Sequence, residues 1–149
     1  MTITLQPITK DNWEIAIRLK VSDDQKHFVA SNLYSIAEAS FYPTAITNGI
    51  YEDDTMIGFT LYGYNDEADQ QGYWIVRLMI DQAHQGKGYG RAAMRLIIDA
   101  LHQKPDCEQI FISFEPENDV ARKLYASLGF VDDGRMIEGE VVYRLDLHS

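Results

Sequence analysis

The run Tyr73-Trp74-Ile75-Val76-Arg77-Leu78-Met79-Ile80-Asp81 is followed, after Gln82-Ala83-His84, by Gln85-Gly86-Lys87-Gly88-Tyr89-Gly90-Arg91. The first run reads as a strand closed by Asp81. Beyond the glycines, Tyr89, Ala92, Ala93, Leu96, Ile97, Ala100 and Leu101 keep the i, i+3, i+4, i+7 repeat of an amphipathic helix. A strand, a turn of small residues and a helix therefore follow one another. The first N–H groups of a helix have no partner within it, and the peptide dipoles add positive potential there. Glycine lets an anion approach that backbone closely. The stretch predicts a cradle for a phosphate or pyrophosphate.

Spacing narrows the choice of anion. A Walker loop needs Gly, four residues, then Gly-Lys and Ser or Thr, but Lys87 is followed by Gly88. A dinucleotide fingerprint, Gly-x-Gly-x-x-Gly, would put its third glycine where Arg91 stands. Neither pattern fits.

A second block lies further along: Asn118-Asp119-Val120-Ala121-Arg122-Lys123-Leu124-Tyr125-Ala126-Ser127-Leu128-Gly129-Phe130. This block, together with Gln85, Gly88 and Gly90, resembles the GNAT N-acetyltransferase superfamily. The family loop reads Gln or Arg, two residues, Gly, one residue, Gly or Ala. In its next strand–helix segment Asn begins the helix, Tyr lies near the end, and Leu-Gly-Phe turns the chain into a strand. The resemblance covers the chain from about Met56 onward well and the first third in outline. Ala30 to Ala39 and Tyr73 to Asp81 further resemble bacterial spermine/spermidine acetyltransferases of the bacillus type.

The resemblance implies an acetyl-coenzyme A-dependent N-acetyltransferase that needs no metal. Its cofactor loop is Gln85, Gly86, Lys87, Gly88, Tyr89, Gly90 and Arg91, with main-chain N–H groups on the pyrophosphate and charge from Lys87 and Arg91. The pantetheine arm is expected along Leu78, Met79 and Ile80, where a main-chain N–H polarises the thioester. Asn118, Ala121 and Tyr125 are expected on the cofactor arm, and Tyr125 as general acid for direct attack within a ternary complex. A phenol with a pKa near 10 keeps its proton at neutral pH and can give it to a departing thiolate. Without the resemblance the same residues have plainer readings. Leu78-Met79-Ile80 is buried strand, Tyr125 is a core aromatic at helical spacing, and Asn118 is an N-cap.

The general base stays open. Some polyamine acetyltransferases of the family carry Glu or Asp on the strand before the cofactor loop, but Trp74-Ile75-Val76-Arg77 has no carboxylate. Glu115 is the substitute, and it reads equally as a solvated loop residue. A water chain is a third route. For the acceptor, Tyr34, Glu38, Tyr42 and Glu52 are expected to line a groove for a long polycation, with Trp74 and Glu115 beside it. Carboxylates pair with ammonium groups and aromatic faces attract them. The alternative is scattered surface charge and half-buried rings. Other acceptors stay open too: a protein N-terminus, an amino acid, an antibiotic. So does a coenzyme A-binding sensor without chemistry.

Composition agrees with one enzyme domain over residues 1–149. Such a length buries one sizeable core. No stretch approaches the ~20 apolar residues of a membrane span, and the N-terminus shows no secretory pattern. A cytoplasmic protein is expected. Net charge is −10, from 13 basic and 23 acidic side chains, which disfavours nucleic acid and anionic membrane and steers cations inward. Acidity for solubility alone explains the same number. The four histidines lack metal-ligand spacing; His84, just before Gln85, reads as a solvent-facing turn residue, with a place bordering the cofactor loop as the alternative. The single cysteine, Cys107, reads as small and half-buried. A dimer is common in the family.

The whole chain reads β-α-α-β-β-β-α-β-α-β-β. The first strand is Thr2 to Pro7. Asp11 with Glu14 suggests a capping box for a helix through about Leu19, and 21–31 reads as loop. Leu33, Ile36, Ala37, Ser40 and Phe41 mark a second helix stopped by Pro43. Strands follow at Ile46 to Glu52 and Met56 to Tyr64 around Asp53-Asp54. The rest is the strand and helix already described, a strand at Gln109 to Phe114, the helix from Asn118, and two strands around Gly139. The fold class is mixed α/β in three α-β-α layers. The resemblance adds a largely antiparallel mixed sheet with an acetyl-coenzyme A cleft between two splayed parallel strands.

Overall fold

The central strands are near-continuous apolar runs, because helices cover both of their faces. A computed structural model describes residues 2–21 and 31–147; most of the loop expected at 21–31 lies outside the described residues. The elements are β1 (Ile3–Pro7), α1 (Trp13–Arg18), α2 (Asn32–Ala39), β2 (Ala45–Glu52), β3 (Thr55–Asn65), β4 (Gly72–Ile80), α3 (Tyr89–His102), β5 (Gln109–Phe114), α4 (Asp119–Ser127), β6 (Val131–Ile137) and β7 (Glu140–Asp146). Among the described residues the seven strands form one mixed sheet in the order β1-β2-β3-β4-β5-β7-β6. Only β4 and β5 are parallel; every other neighbouring pair is antiparallel. Among the described residues no helix is long and apolar enough to cross a membrane.

One face packs on α1 and α2, where Phe59, Leu61, Met56 and Met79 meet Ala16. The other packs on α3 and α4, where Ile75, Ile110 and Ile112 meet Met94, Ile97, Leu101 and Tyr125. Leu101 is fully buried, so Leu101→Ala would remove about 2–5 kcal/mol of stability. Cys107 is buried rather than half-buried, and burial pushes its thiol pKa up. The last two strands are joined by Glu138 and Gly139, both at positive φ (50° and 82°), a conformation that suits a tight hairpin.

Two local expectations are corrected. The first helix begins at Trp13, with Asn12 rather than Asp11 at its cap, and no side chain caps it. Asn12 is turned back toward the sheet instead. Its amide donates to the Pro7 carbonyl (3.1 Å) and the Tyr51 hydroxyl (3.2 Å), and its oxygen accepts from the Thr9 N–H. The apolar stripe expected for α2 is split: Leu33, and Phe41 beyond the helix end, are 56% and 80% exposed, while Ile36 packs on the core. The buried side carries Asn32 and Ser35. Asn32 is tolerated there because its amide donates to the Ala16 carbonyl at 2.8 Å, which ties α2 to α1.

Candidate active site

The parallel pair β4–β5 stays in register only over Tyr73↔Ile110, Trp74↔Phe111 and Ile75↔Ile112. Beyond Ile75 the strands part. A bulge starts the divergence: Leu61 faces Arg77 and Tyr62 faces Ile75, so Val76 is the extra residue on β4. From Val76 to Ile80 the β4 edge toward β5 has no strand to pair with among the described residues. Two hollows meet at this gap. The larger, about 860 Å³, runs from the gap along Leu78, Met79 and Ile80 to Gly86, Gly88 and Gly90. The smaller, about 540 Å³, opens on the side of α2 and the β6–β7 hairpin.

One wall of the larger hollow is the free edge of β4 and the glycine turn that follows it. Gln85 fastens the glycine turn to the end of β4, its amide donating to the Ile80 carbonyl at 2.9 Å. Asp81 closes β4 by accepting from the Lys20 N–H at 2.9 Å. Gly86 and Gly88 sit at φ 80° and 82°, and nothing lies within 4 Å of where a Cβ would stand on either. Gly88 is the N-cap of α3 and brings no capping side chain. The opening of α3 thus offers a cradle with room for an anion. Asn118 caps α4 by accepting from the Ala121 N–H at 3.2 Å, and both residues line this hollow.

Some loop side chains are engaged elsewhere. Arg91 donates to the Ser127 hydroxyl at 2.6 Å, and neither Arg91 nor Lys87 is among the residues lining the hollow. Tyr89 is buried under the loop and donates from its hydroxyl to Glu52. Of the two readings of His84, the one that borders the glycine turn fits and the solvent-facing one does not. It is half-buried, lines the hollow, and its Nδ1 is buried without a partner among the described residues.

Tyr125 stands on the same hollow near the gap. The Leu128-Gly129-Phe130 turn explains its placement. Phe130 N–H donates to the Tyr125 carbonyl and Gly129 N–H to the Ala126 carbonyl, both at 3.1 Å, with Gly129 at φ 101°. This is a Schellman cap, with its hydrophobic contact between Phe130 and Tyr125 at 6.0 Å between ring centroids. Phe114 holds the ring from the other side at 5.5 Å. Among the described residues the Tyr125 hydroxyl makes no hydrogen bond. Burial, and then the charge of Glu140, pushes its pKa up to about 12. The phenol therefore keeps a transferable proton across the neutral range.

The smaller hollow is made of side chains from scattered elements. Glu38 of α2, Asp66 and Glu67 after β3, and Glu138 and Glu140 of the hairpin line it, with Tyr42 and Trp74 as aromatic walls. Arg77 is the cation on its wall, and Glu38 pairs with it at 3.6 Å. Glu38, Tyr42 and Trp74 thus fall where a polycation groove was expected. Three others do not. Tyr34 is 58% exposed on α2 and lines neither hollow. Glu52 is engaged by Tyr89 at the far end of β2. Glu115 lines the larger hollow and not the smaller. Ser113, Arg77 and Glu140 were missed. The signal for them is the sheet order: β7 inserts beside β5, so the start of β7 comes to the parting of β4 and β5.

The sequence profile of the acetyltransferase (GNAT) family matches residues 8–130. The chain belongs to the GNAT acetyltransferase family. The spermine/spermidine N(1)-acetyltransferase of Bacillus subtilis (strain 168) is 29% identical over 147 residues, covering 95% of this chain and 97% of that protein. Two solved GNAT-like structures share the fold. A spermidine N-acetyltransferase from Vibrio cholerae, in complex with CoA and spermine, superposes with a TM-score of 0.73 at 18% identity, over 95% of this chain and 92% of that one. An aminoglycoside acetyltransferase in complex with coenzyme A gives a TM-score of 0.80 at 14% identity, over 98% and 95%. As a GNAT N-acetyltransferase, this chain uses acetyl-coenzyme A to acetylate an amine.

Proposed function

We propose that the acceptor is a polyamine such as spermidine or spermine, acetylated on a primary amine by direct attack within a ternary complex. The observation that carries this reading is the charge of the smaller hollow. Glu38, Asp66, Glu67, Glu138 and Glu140 line it against Arg77. Several carboxylates around one hollow suit a ligand with several ammonium groups. Trp74 and Tyr42 add aromatic faces that attract cations. The identity to the Bacillus subtilis spermine/spermidine enzyme supports the same acceptor.

Bound acetyl-coenzyme A would supply the activated acyl group. The glycine turn at Gly86, Gly88 and Gly90 would take its pyrophosphate, and the unpaired edge from Val76 to Ile80 its extended arm. The edge N–H groups near Leu78 and Met79 would polarise the carbonyl. Tyr125 holds a proton at the hydroxyl for the departing sulfur. Ala121 and Asn118 shape the wall between them.

A second reading is an amino acid with a second amine. Arg77 favours it, because its Nε is buried without a partner among the described residues and would suit a carboxylate. Thiol-release kinetics with acetyl-coenzyme A against spermidine, spermine, matched monoamines, diamino acids and lysine peptides separates the two. Preference for spermidine or spermine supports the polyamine. Preference for diamino acids moves the assignment to the second reading.

A further inference from the structure

We propose that Glu140 is the carboxylate that receives the acceptor ammonium at the parting of β4 and β5 and takes its proton. This rests on the reading of the smaller hollow as the acceptor side. The GNAT reaction needs an amine with a free lone pair, while a primary amine with a pKa near 10 arrives protonated at neutral pH. A carboxylate where the two hollows join would take that proton directly, and β4 itself carries none.

Position singles out Glu140. Among the described residues it is the carboxylate that lines both hollows. Glu115, Glu117 and Asp119 line the cofactor side alone. Glu38, Asp66, Glu67 and Glu138 line the acceptor side alone. The fold explains the placement. Glu138 and Gly139 turn the chain at positive φ, and Glu140 is the first residue of β7. Because β7 runs antiparallel to β5, its start lies by the C-terminal end of β5, where Ser113 pairs with Val142.

Glu140 is also oriented. The Ser113 hydroxyl donates to its Oε1 at 2.7 Å, leaving Oε2 for a substrate. Both residues are half-buried, so the pair is reachable yet partly shielded from water. The charge of Glu140 raises the Tyr125 pKa, which puts the carboxylate within electrostatic reach of the phenol. Arg77 also borders both hollows, but Glu38 offsets its charge.

The proton account then closes. The ammonium nitrogen gives one proton to a Glu140 oxygen, and its freed electron pair forms the C–N bond as the C–S bond breaks. The electron pair of that bond goes to sulfur, which takes the Tyr125 proton. The nitrogen's second proton restores the phenol, and Glu140 releases its own to solvent. Ser113 is a positioning residue in this scheme.

The test compares wild type with Glu140→Gln, Glu140→Asp and Ser113→Ala, using the best amine of the panel. Steady-state kinetics are run from about pH 6 to about pH 10, the interval below the amine pKa. Calorimetry measures acetyl-coenzyme A binding separately. Glu140→Gln should keep that affinity and lose roughly 10²-fold or more in kcat/KM for the amine near pH 7, the usual size of a general-base effect. The loss should shrink as pH rises and more amine arrives neutral. Glu140→Asp should recover part of the rate, and Ser113→Ala should lose less than Glu140→Gln. Wild-type kcat/KM in Glu140→Gln, a loss independent of pH, or a parallel loss of acetyl-coenzyme A affinity would each overturn the proposal. Because Glu140 acts on the reacting nitrogen, the loss should appear with any amine. A wild-type enzyme without polyamine preference would therefore sink the acceptor reading and leave this one standing.

Discussion

The two hollows are built by opposite means. The proposed cofactor side rests on main chain along one wall, an unpaired β4 edge, a glycine turn and the uncapped start of α3 between Val76 and Gly90, faced by the end of β5 and by α4. The acceptor side is side chain: carboxylates and rings brought from α2, the end of β3, β4 and the β6–β7 hairpin. A backbone site tolerates most changes except those that fill its space or bend its turn. A side-chain site changes with single substitutions, so one half of the molecule is suited to a fixed cofactor and the other to a variable amine.

That contrast predicts where substitutions hurt most. Gly88→Asp should have the largest effect. It adds a like charge to the pyrophosphate cradle and forces a side chain onto φ 82°. Acetyl-coenzyme A affinity should fall roughly 10²-fold or more, since like-charge contacts cost several kcal/mol and backbone strain adds about 1–3. Unchanged affinity by calorimetry would mean that the cradle lies elsewhere.

Next comes Tyr125→Phe, which keeps the packing on Phe114 and Phe130 and removes the hydroxyl. kcat should fall roughly 10²-fold while the KM for acetyl-coenzyme A stays near wild type. A wild-type kcat, with chemistry rate-limiting, would make Tyr125 a core aromatic only.

Glu38→Gln should act on the acceptor side alone. An exposed ion pair is worth at most about 1 kcal/mol, so the spermidine KM should rise about fivefold. Losing Glu38 also uncovers Arg77, which repels ammonium groups. Added salt should narrow the difference between variant and wild type. A shift in acetyl-coenzyme A binding instead would merge the two hollows into one functional unit.

The smallest effect concerns alkaline stability. Tyr125 titrates in the folded protein at about 12 because burial penalises the phenolate. Tyr73 does so at about 12 chiefly because it donates to Asp106. Unfolded tyrosine titrates near 10. Stability from these groups is present below about pH 10 and is lost as pH rises toward about 12. Urea midpoints should fall over that interval, and less steeply in Tyr125→Phe. Equal slopes would place the Tyr125 ring in contact with water.

The sequence made the cofactor half legible because its parts are contiguous. The Gln85 to Gly90 turn, the Asn118 cap and the Leu-Gly-Phe stop each depend on local backbone geometry, and local geometry is written in neighbouring residues. The strand order and the acceptor wall depend on residues far apart in the chain. Glu140 reads as an ordinary charge after a hairpin glycine until β7 is known to sit beside β5. Glu52 and Tyr34 have suitable chemistry, but one is engaged by Tyr89 and the other faces solvent. In α2 the apolar spacing marks a helix correctly and its buried face only in part: Ile36 packs inward, but Asn32 takes a buried place by donating to the Ala16 carbonyl.

The central claim is that both hollows are filled together and join at the parting of β4 and β5. Initial velocities with acetyl-coenzyme A and spermidine varied against each other test it most directly. The account predicts double-reciprocal lines that intersect, the pattern of a ternary complex. Parallel lines, with coenzyme A released before the amine binds, would show a covalent acyl-enzyme and contradict it.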